Sequence, residues 1–232
     1  FVNRTLDGII VISEYLADYY HGKVETIKLP PLIDRSDPKW AVDINDEKPD
    51  AARFVYAGSP TAKKERLDII IDAFAELVDE SNATLDVLGM TSKEFGKMYP
   101  EAKSNANSRN IRFHGRVEHV QALAMVARAD YSLIIREESR LTKAGFPTKF
   151  AESVTLGTKV IATSHPDLDK YLGDSSLGHT VDLGALPDAI RCAGREERRQ
   201  ARVARNSEFE YRRYTESVER FLAKVDRKST RL

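Results

Sequence analysis

Cysteine is nearly missing: Cys192 stands alone among 232 residues. One thiol excludes an internal disulfide and a multi-thiolate zinc site, and with them a disulfide-stapled secreted scaffold. A reducing cytoplasm is the expected compartment. No apolar run reaches the roughly 18–20 residues that a membrane span needs, and the N-terminus does not read as a signal peptide. No internal repeat of fixed period and no low-complexity tract is found. Net charge is absent as well, with 36 basic against 36 acidic side chains. With no charge excess and no recognition helix, nucleic acid is not an expected partner. What is present is enough aliphatic residue for a core, since 41% of the chain is hydrophobic, and global disorder is excluded.

The zero balance hides an asymmetry. Residues 1–190 carry 23 basic and 29 acidic side chains, whereas residues 191–232 carry 13 basic and 7 acidic. The basic tail either pairs with the acidic body or faces an anionic surface, which would allow peripheral contact with the inner face of a membrane.

Gly8 to Ile12 is a continuous apolar run, as in a strand buried on both faces. Ser13 then stands as the N-cap of a helix that fades near His21-Gly22. Thr26 to Leu29 reads as a further short strand stopped by Pro30-Pro31. Residues 34–52 are polar, with Pro38 and Pro49, and read as a hinge linker. Beyond them strand and helix alternate. Strands are expected at Arg53–Gly58, Thr84–Gly89, Ile111–His114, Tyr131–Arg136, Lys159–Thr163 and His179–Leu183. Helices are expected at Arg66–Val78, Ser92–Tyr99, Val120–Ala129, Pro147–Leu156 and Asp167–Leu172, then from Pro187 onward with breaks near Gly194 and Asn206. Leu67, Ile70, Ile71, Phe74 and Leu77 recur at helical spacing. Such alternation with short connections predicts an α/β fold: a Rossmann-like parallel sheet with helices on both faces. Ligands of such sheets sit beyond the carboxyl ends of the strands, so the loops after Gly58, Gly89, His114 and Arg136 are where chemistry is expected.

The first of these loops, Gly58-Ser59-Pro60-Thr61-Ala62-Lys63-Lys64-Glu65, combines a backbone that a ligand can approach with two cations. It is neither a dinucleotide fingerprint nor a Walker loop, and it also fits an ordinary solvated turn. The loop after Arg136 leads into Pro147, suited to the first helical position. Phe146 before it cannot cap, so the amides near Thr148 and Lys149 lack a side-chain acceptor. An uncapped helix start behind Gly145 is a ready anion site. Glu152, about one and a half turns in, can accept hydrogen bonds from ligand hydroxyls. A surface Glu beside a capless helix fits the same residues.

Several other signals are weak. Asp167-Leu168-Asp169 has the form of an Asp-x-Asp metal motif but follows His165-Pro166 at a helix start, where capping explains it. The five His, including His114 and His119, show no ligand spacing. Cys192 has nothing to activate it. Tyr211, Tyr214 and Phe221 are spaced for packing.

The segment GFPTKFAES, followed by Gly157-Thr158-Lys159-Val160-Ile161-Ala162-Thr163, resembles the donor-binding segment of the retaining GT-B glycosyltransferases of family four (group 1). Asp7–Ser13 and Leu29-Pro30-Pro31 resemble the end of that family's N-terminal domain. FVYAGSPTAKKE resembles the first C-domain strand and phosphate loop, and Ile111–Val117 the strand leading to the base-contacting loop. The resemblance runs from Asp7 to about Leu172. It implies residues 1–33 as a remnant of the acceptor domain, 34–52 as the hinge, 53–206 as the donor nucleotide-sugar domain and 207–232 as a helix crossing back.

The resemblance further implies a donor site of Gly58, Ser59, Lys64, Arg116, Val117, Gly145, Phe146, Pro147, Thr148 and Glu152. Lys64 is implied as the catalytic cation on the leaving diphosphate, and Glu152 as the ribose ligand. No metal or cofactor is implied, the nucleoside-diphosphate sugar being substrate, and surface-polysaccharide assembly is the expected setting. Partners implied are that donor, an acceptor that the residues do not name and the N-terminal domain. Two positions depart from the family pattern. Ala144 stands where the first Glu of the paired-glutamate motif is expected, and Ser59 where a phosphate-binding Arg is common. Arg136 and Lys149 are the candidates to replace that Arg. The alternatives are a sugar-nucleotide epimerase or a phosphorylase of the same fold, and a noncatalytic module that binds a sugar nucleotide or a partner without turnover.

Overall fold

The computed structural model describes residues 6–42, 51–59, 61, 64–80, 82–173, 176–195 and 206–229. Two strands, β1 (Gly8–Val11) and β2 (Glu25–Lys28), flank helix α1 (Glu14–Tyr20) and form a separate parallel pair. The expected β1 strand is present, but Ile10 is 54% exposed. Among the described residues β1 pairs with β2 alone, and the exposed Ile10 shows that one face lacks the cover that the apolar run suggested. Ser13 is the predicted N-cap: its Oγ accepts from the Leu16 amide at 3.3 Å and donates to the Ala144 carbonyl at 3.0 Å.

The expected linker falls partly outside the described residues. Its first part is less open than its polarity suggested, because Pro38–Trp40 form a 3₁₀ turn capped by Asp37 and Trp40 is buried. The main body then alternates as β3 (Ala52–Ala57), α2 (Leu67–Glu76), β4 (Ala83–Leu88), α3 (Ser92–Met98), β5 (Ile111–Gly115), α4 (His119–Arg128) and β6 (Tyr131–Ile134). It continues through α5 (Arg140–Lys143), α6 (Thr148–Thr155), β7 (Lys159–Ala162), α7 (Asp169–Leu172), β8 (Gly178–Thr180) and α8 (Leu186–Arg195). After the predicted break at residue 206, α9 (Thr215–Ser229) closes the described chain.

The six strands β3–β8 form one parallel sheet in the order β5-β4-β3-β6-β7-β8. The expected α/β architecture is therefore present. Side chains alternate across each strand. Phe54 and Tyr56 point to the face that holds Ile70, Phe74 and Ile190, while Val55 points to the face that holds Leu123, Phe150 and Val154. Both faces are covered, which is why the strands read as unbroken apolar runs.

Two elements differ from expectation. The last strand starts one residue earlier and ends at Thr180; of the residues read as its continuation, Val181 still donates to Ala162 O at 2.8 Å, while Leu183 opens a 3₁₀ turn at Leu183–Ala185. Short α5 lies within the expected loop after Arg136, started by a Ser139/Thr142 capping box.

Asp167 does not cap the helix that follows it. Helix α7 starts at Asp169, whose carboxylate accepts from the His165 amide at 3.0 Å. Asp167, 1% exposed, instead accepts from the Glu14 amide at 3.0 Å and pairs with Lys28 at 3.2 Å. It caps the helix of the N-terminal pair, tying that pair to the body. From the other end α9 lies against β1, where a Cβ on Gly8 would come within 2.7 Å of Phe221. Lys224 reaches Glu25 at 2.6 Å. At least part of the basic tail therefore pairs with the body.

Candidate functional site

The strand order reverses between β3 and β6, the switch point at which open parallel sheets accept ligands. Beside it, three glycines end β3, β4 and β5. Gly58 N–H donates to Leu88 O at 3.1 Å, and Gly89 N–H to Gly115 O at 2.7 Å. Gly89 has φ +97°, and a Cβ there would stand 2.0 Å from Gly58 O. Strain at positive φ and a clash with backbone act together. Gly89→Ala is expected to cost about 2 kcal/mol or more, read as a lower urea midpoint with unchanged slope.

These small residues open a cleft of about 570 Å³. Gly58, Ser59, Arg116, Val117, Thr148 and Glu152 line it, as do His119 and Lys149. Six expected site residues thus meet in one place. Pro147 is the N-cap of α6 rather than its first residue and offers no side-chain acceptor. The amides of Thr148 and Lys149 are left without a side-chain cap beside the cleft, a positive helix end. Glu152 lies on the same helix, 30% exposed, with His119 Nε2 at 3.4 Å from Oε1.

The other expected residues are placed differently. The Phe146 side chain does not face the cleft: it is buried, 5.8 Å from the Phe209 ring and 6.2 Å from Phe150 and Tyr171. An apolar ring gains more in that aromatic cluster than beside a polar ligand. Pro147 and Gly145 do not line the cleft, and a Cβ at Gly145 would meet nothing within 4 Å. Lys64 does not line it either. Its charge is near enough to oppose protonation of Lys149.

Beneath the cleft lies a buried charged cluster that the sequence did not reveal. Glu65, 8% exposed, accepts from Lys149 Nζ at 3.0 and 3.2 Å, from Arg136 at 3.0 Å and from the Tyr56 hydroxyl. Burial raises the Glu65 carboxyl, but Lys149, Tyr56 and Arg136 outweigh it and hold the group below the usual carboxylate value. Burial lowers the Lys149 ammonium, and Glu65 opposes that effect without cancelling it. The Tyr56 hydroxyl is pushed up by burial and by Glu65. Lys149 Nζ sits where a Cβ on Gly58 would be, 1.9 Å away, so glycine at 58 makes room for this cation. Two cations on one carboxylate leave a net positive floor.

A family model described as "Glycosyl transferases group 1" matches residues 51–196. The chain belongs to that family. Solved structures of low identity share the fold of this glycosyltransferase chain. Sucrose-phosphate synthase from Thermosynechococcus elongatus matches with TM-score 0.69 and 16% identity over 98% of this chain and 60% of its own. HepE from Anabaena, solved with UDP and glucose, matches with TM-score 0.69 and 13% identity over 96% and 64%. WaaG, a glycosyltransferase involved in lipopolysaccharide biosynthesis, matches with TM-score 0.61 and 20% identity over 83% and 56%. The chain thus spans about 60% of the length of the first of these. A search of curated proteins gave no match. The sheet is the Rossmann-like half of a GT-B fold. Among the described residues no helix is long and apolar enough to cross a membrane.

Proposed function

We propose that this chain is the donor-binding part of a retaining glycosyltransferase, moving a sugar from a nucleoside-diphosphate sugar to an acceptor hydroxyl. One observation carries the reading: the carboxyl ends of β3–β5, the uncapped start of α6, Lys149 and Glu152 converge on one cleft. The nucleotide binds there as substrate. Glu152 accepts from the ribose hydroxyls, Arg116 and Val117 meet the base, and the amides at Thr148 with Lys149 meet the diphosphate. Gly145 and Pro147, which lie outside the cleft lining, set the start of α6 from which the Thr148 and Lys149 amides project. As the glycosidic bond breaks, charge grows on the leaving diphosphate, and these fixed positive groups stabilise it most at that moment. The acceptor site, the catalytic role of a further N-terminal domain, a place in surface-polysaccharide assembly, and cytoplasmic work at the inner membrane face through the basic tail belong to the same proposal.

Lys64 keeps a part in it as a second cation on the diphosphate. In the intact enzyme Lys64→Ala is expected to lower kcat about tenfold, the worth of one charge-assisted contact. Unchanged turnover removes Lys64 from the mechanism. The whole reading is tested by product analysis with a labelled sugar nucleotide. With the intact enzyme and its acceptor, a glycoside of retained anomeric configuration supports it; an epimerised nucleotide sugar, or tight binding without turnover, refutes it. Ala144 and Ser59 give the noncatalytic reading its one specific footing, since each removes a group that the family pattern places on the donor.

A further inference from the structure

The floor of the cleft holds more charge than phosphate binding alone calls for. A buried carboxylate beside an anion site repels the ligand unless it does something for the cations around it. Glu65 is fixed from three sides, by the Tyr56 hydroxyl, Arg136 and Lys149. Arg136 is itself anchored at the end of β6, where its amide donates to Thr163 Oγ1 at 3.0 Å and its carbonyl accepts from the same hydroxyl at 2.8 Å. Its Nε is buried with no hydrogen-bond partner among the described residues. The Tyr56 ring lies 4.8 Å from Lys149 Nζ. Glu65, Arg136 and Lys64 act most strongly on the Lys149 ammonium, the Tyr56 ring lies beside it, and Glu152, Arg116 and His119 line the same cleft; Glu65 is the anion bonded to it.

We propose that Glu65 is a positioning residue: it keeps the Lys149 ammonium protonated and aimed past Gly58 at the donor's diphosphate. The inference rests on the donor-site reading and adds a residue to it. Without Glu65 the ammonium faces burial, Arg136 and Lys64 without its bonded counter-charge, and a buried Lys in that position loses its proton readily. A freely rotating Lys would also have to be ordered at each binding event, whereas one pinned by a carboxylate is already in place.

The test is calorimetry of the full chain with inorganic pyrophosphate and with UDP, GDP, ADP and dTDP, from pH 7 to 10, alongside NMR titration of the Lys149 ammonium. Glu65→Gln is expected to weaken pyrophosphate binding roughly tenfold and to move the alkaline loss of binding to lower pH. Glu65→Asp, which keeps the charge but not the shape, should retain the wild-type pH profile. A packing role predicts the reverse order, because Gln is the closer match in shape. Wild-type protein supplies an arm that needs no variant, since the Lys149 resonance must move when pyrophosphate is added. Equal affinity and an unshifted profile in Glu65→Gln, or a still Lys149 resonance during wild-type binding, overturns the proposal alone. No binding of any of these ligands by wild type overturns the donor-site reading together with it.

Discussion

Replacing Glu152 by alanine is expected to weaken nucleoside-diphosphate binding about a hundredfold, from two lost hydrogen bonds to a charged acceptor. The carboxylate sits on α6, whose Phe150, Ala151 and Val154 are fully buried in the core and fix the helix. The variant should therefore keep its fold and lose only the ribose contact. Calorimetry should show the loss for the nucleoside diphosphate and none for inorganic pyrophosphate, which has no ribose. Equal losses for both ligands would mean that Glu152 supports the helix rather than the sugar.

Lys149→Met is expected to have the complementary effect. It removes the ammonium that occupies the space beside Gly58 while keeping most of the side chain's length. Glu65 keeps Arg136 and the Tyr56 hydroxyl as partners, so the buried carboxylate is not orphaned. Diphosphate affinity should fall about tenfold to a hundredfold, the worth of a partly buried charged contact, while the free nucleoside binds as before. In the intact enzyme kcat should fall by more than the donor KM rises, because charge on the diphosphate is greatest in the transition state. A variant with unchanged pyrophosphate affinity would leave α6's amides and Lys64 as the anion site.

Most of the fold was readable because the sheet is covered on both faces. Arg53–Gly58 and Tyr131–Arg136 announce themselves as apolar runs, and the spacing of Leu67, Ile70, Ile71 and Phe74 announces the helix between. The poorly read parts depend on distant partners. Leu183 looks like strand, yet the sheet's edge ends at Thr180 and Leu183 turns in a 3₁₀ helix. Asp167 looks like the cap of its own helix, yet its partner amide is Glu14, far away in sequence.

The site divides the same way. Gly58, Glu152 and the α6 start were visible as strand end, carboxylate and uncapped helix. The burial of the Phe146 side chain does not show locally, because Phe209 and Tyr171 join it only in three dimensions. His119 looked like one scattered histidine, though it follows the Arg116-Val117 loop and comes within hydrogen-bonding reach of Glu152. Glu65 looked like one more charge in a Lys-Lys-Glu-Arg run. Its burial follows from Tyr56, Arg136 and Lys149 on three other segments, and no local spacing carries that information.

The most direct measurement is a calorimetric titration of the chain with UDP, GDP, ADP and dTDP, with pyrophosphate as competitor. One nucleoside diphosphate is expected to bind at one site per chain and to be displaced by pyrophosphate. Four inert nucleotides, or a bound nucleotide that pyrophosphate does not displace, would contradict the placing of a donor diphosphate between Gly58, Lys149 and the start of α6.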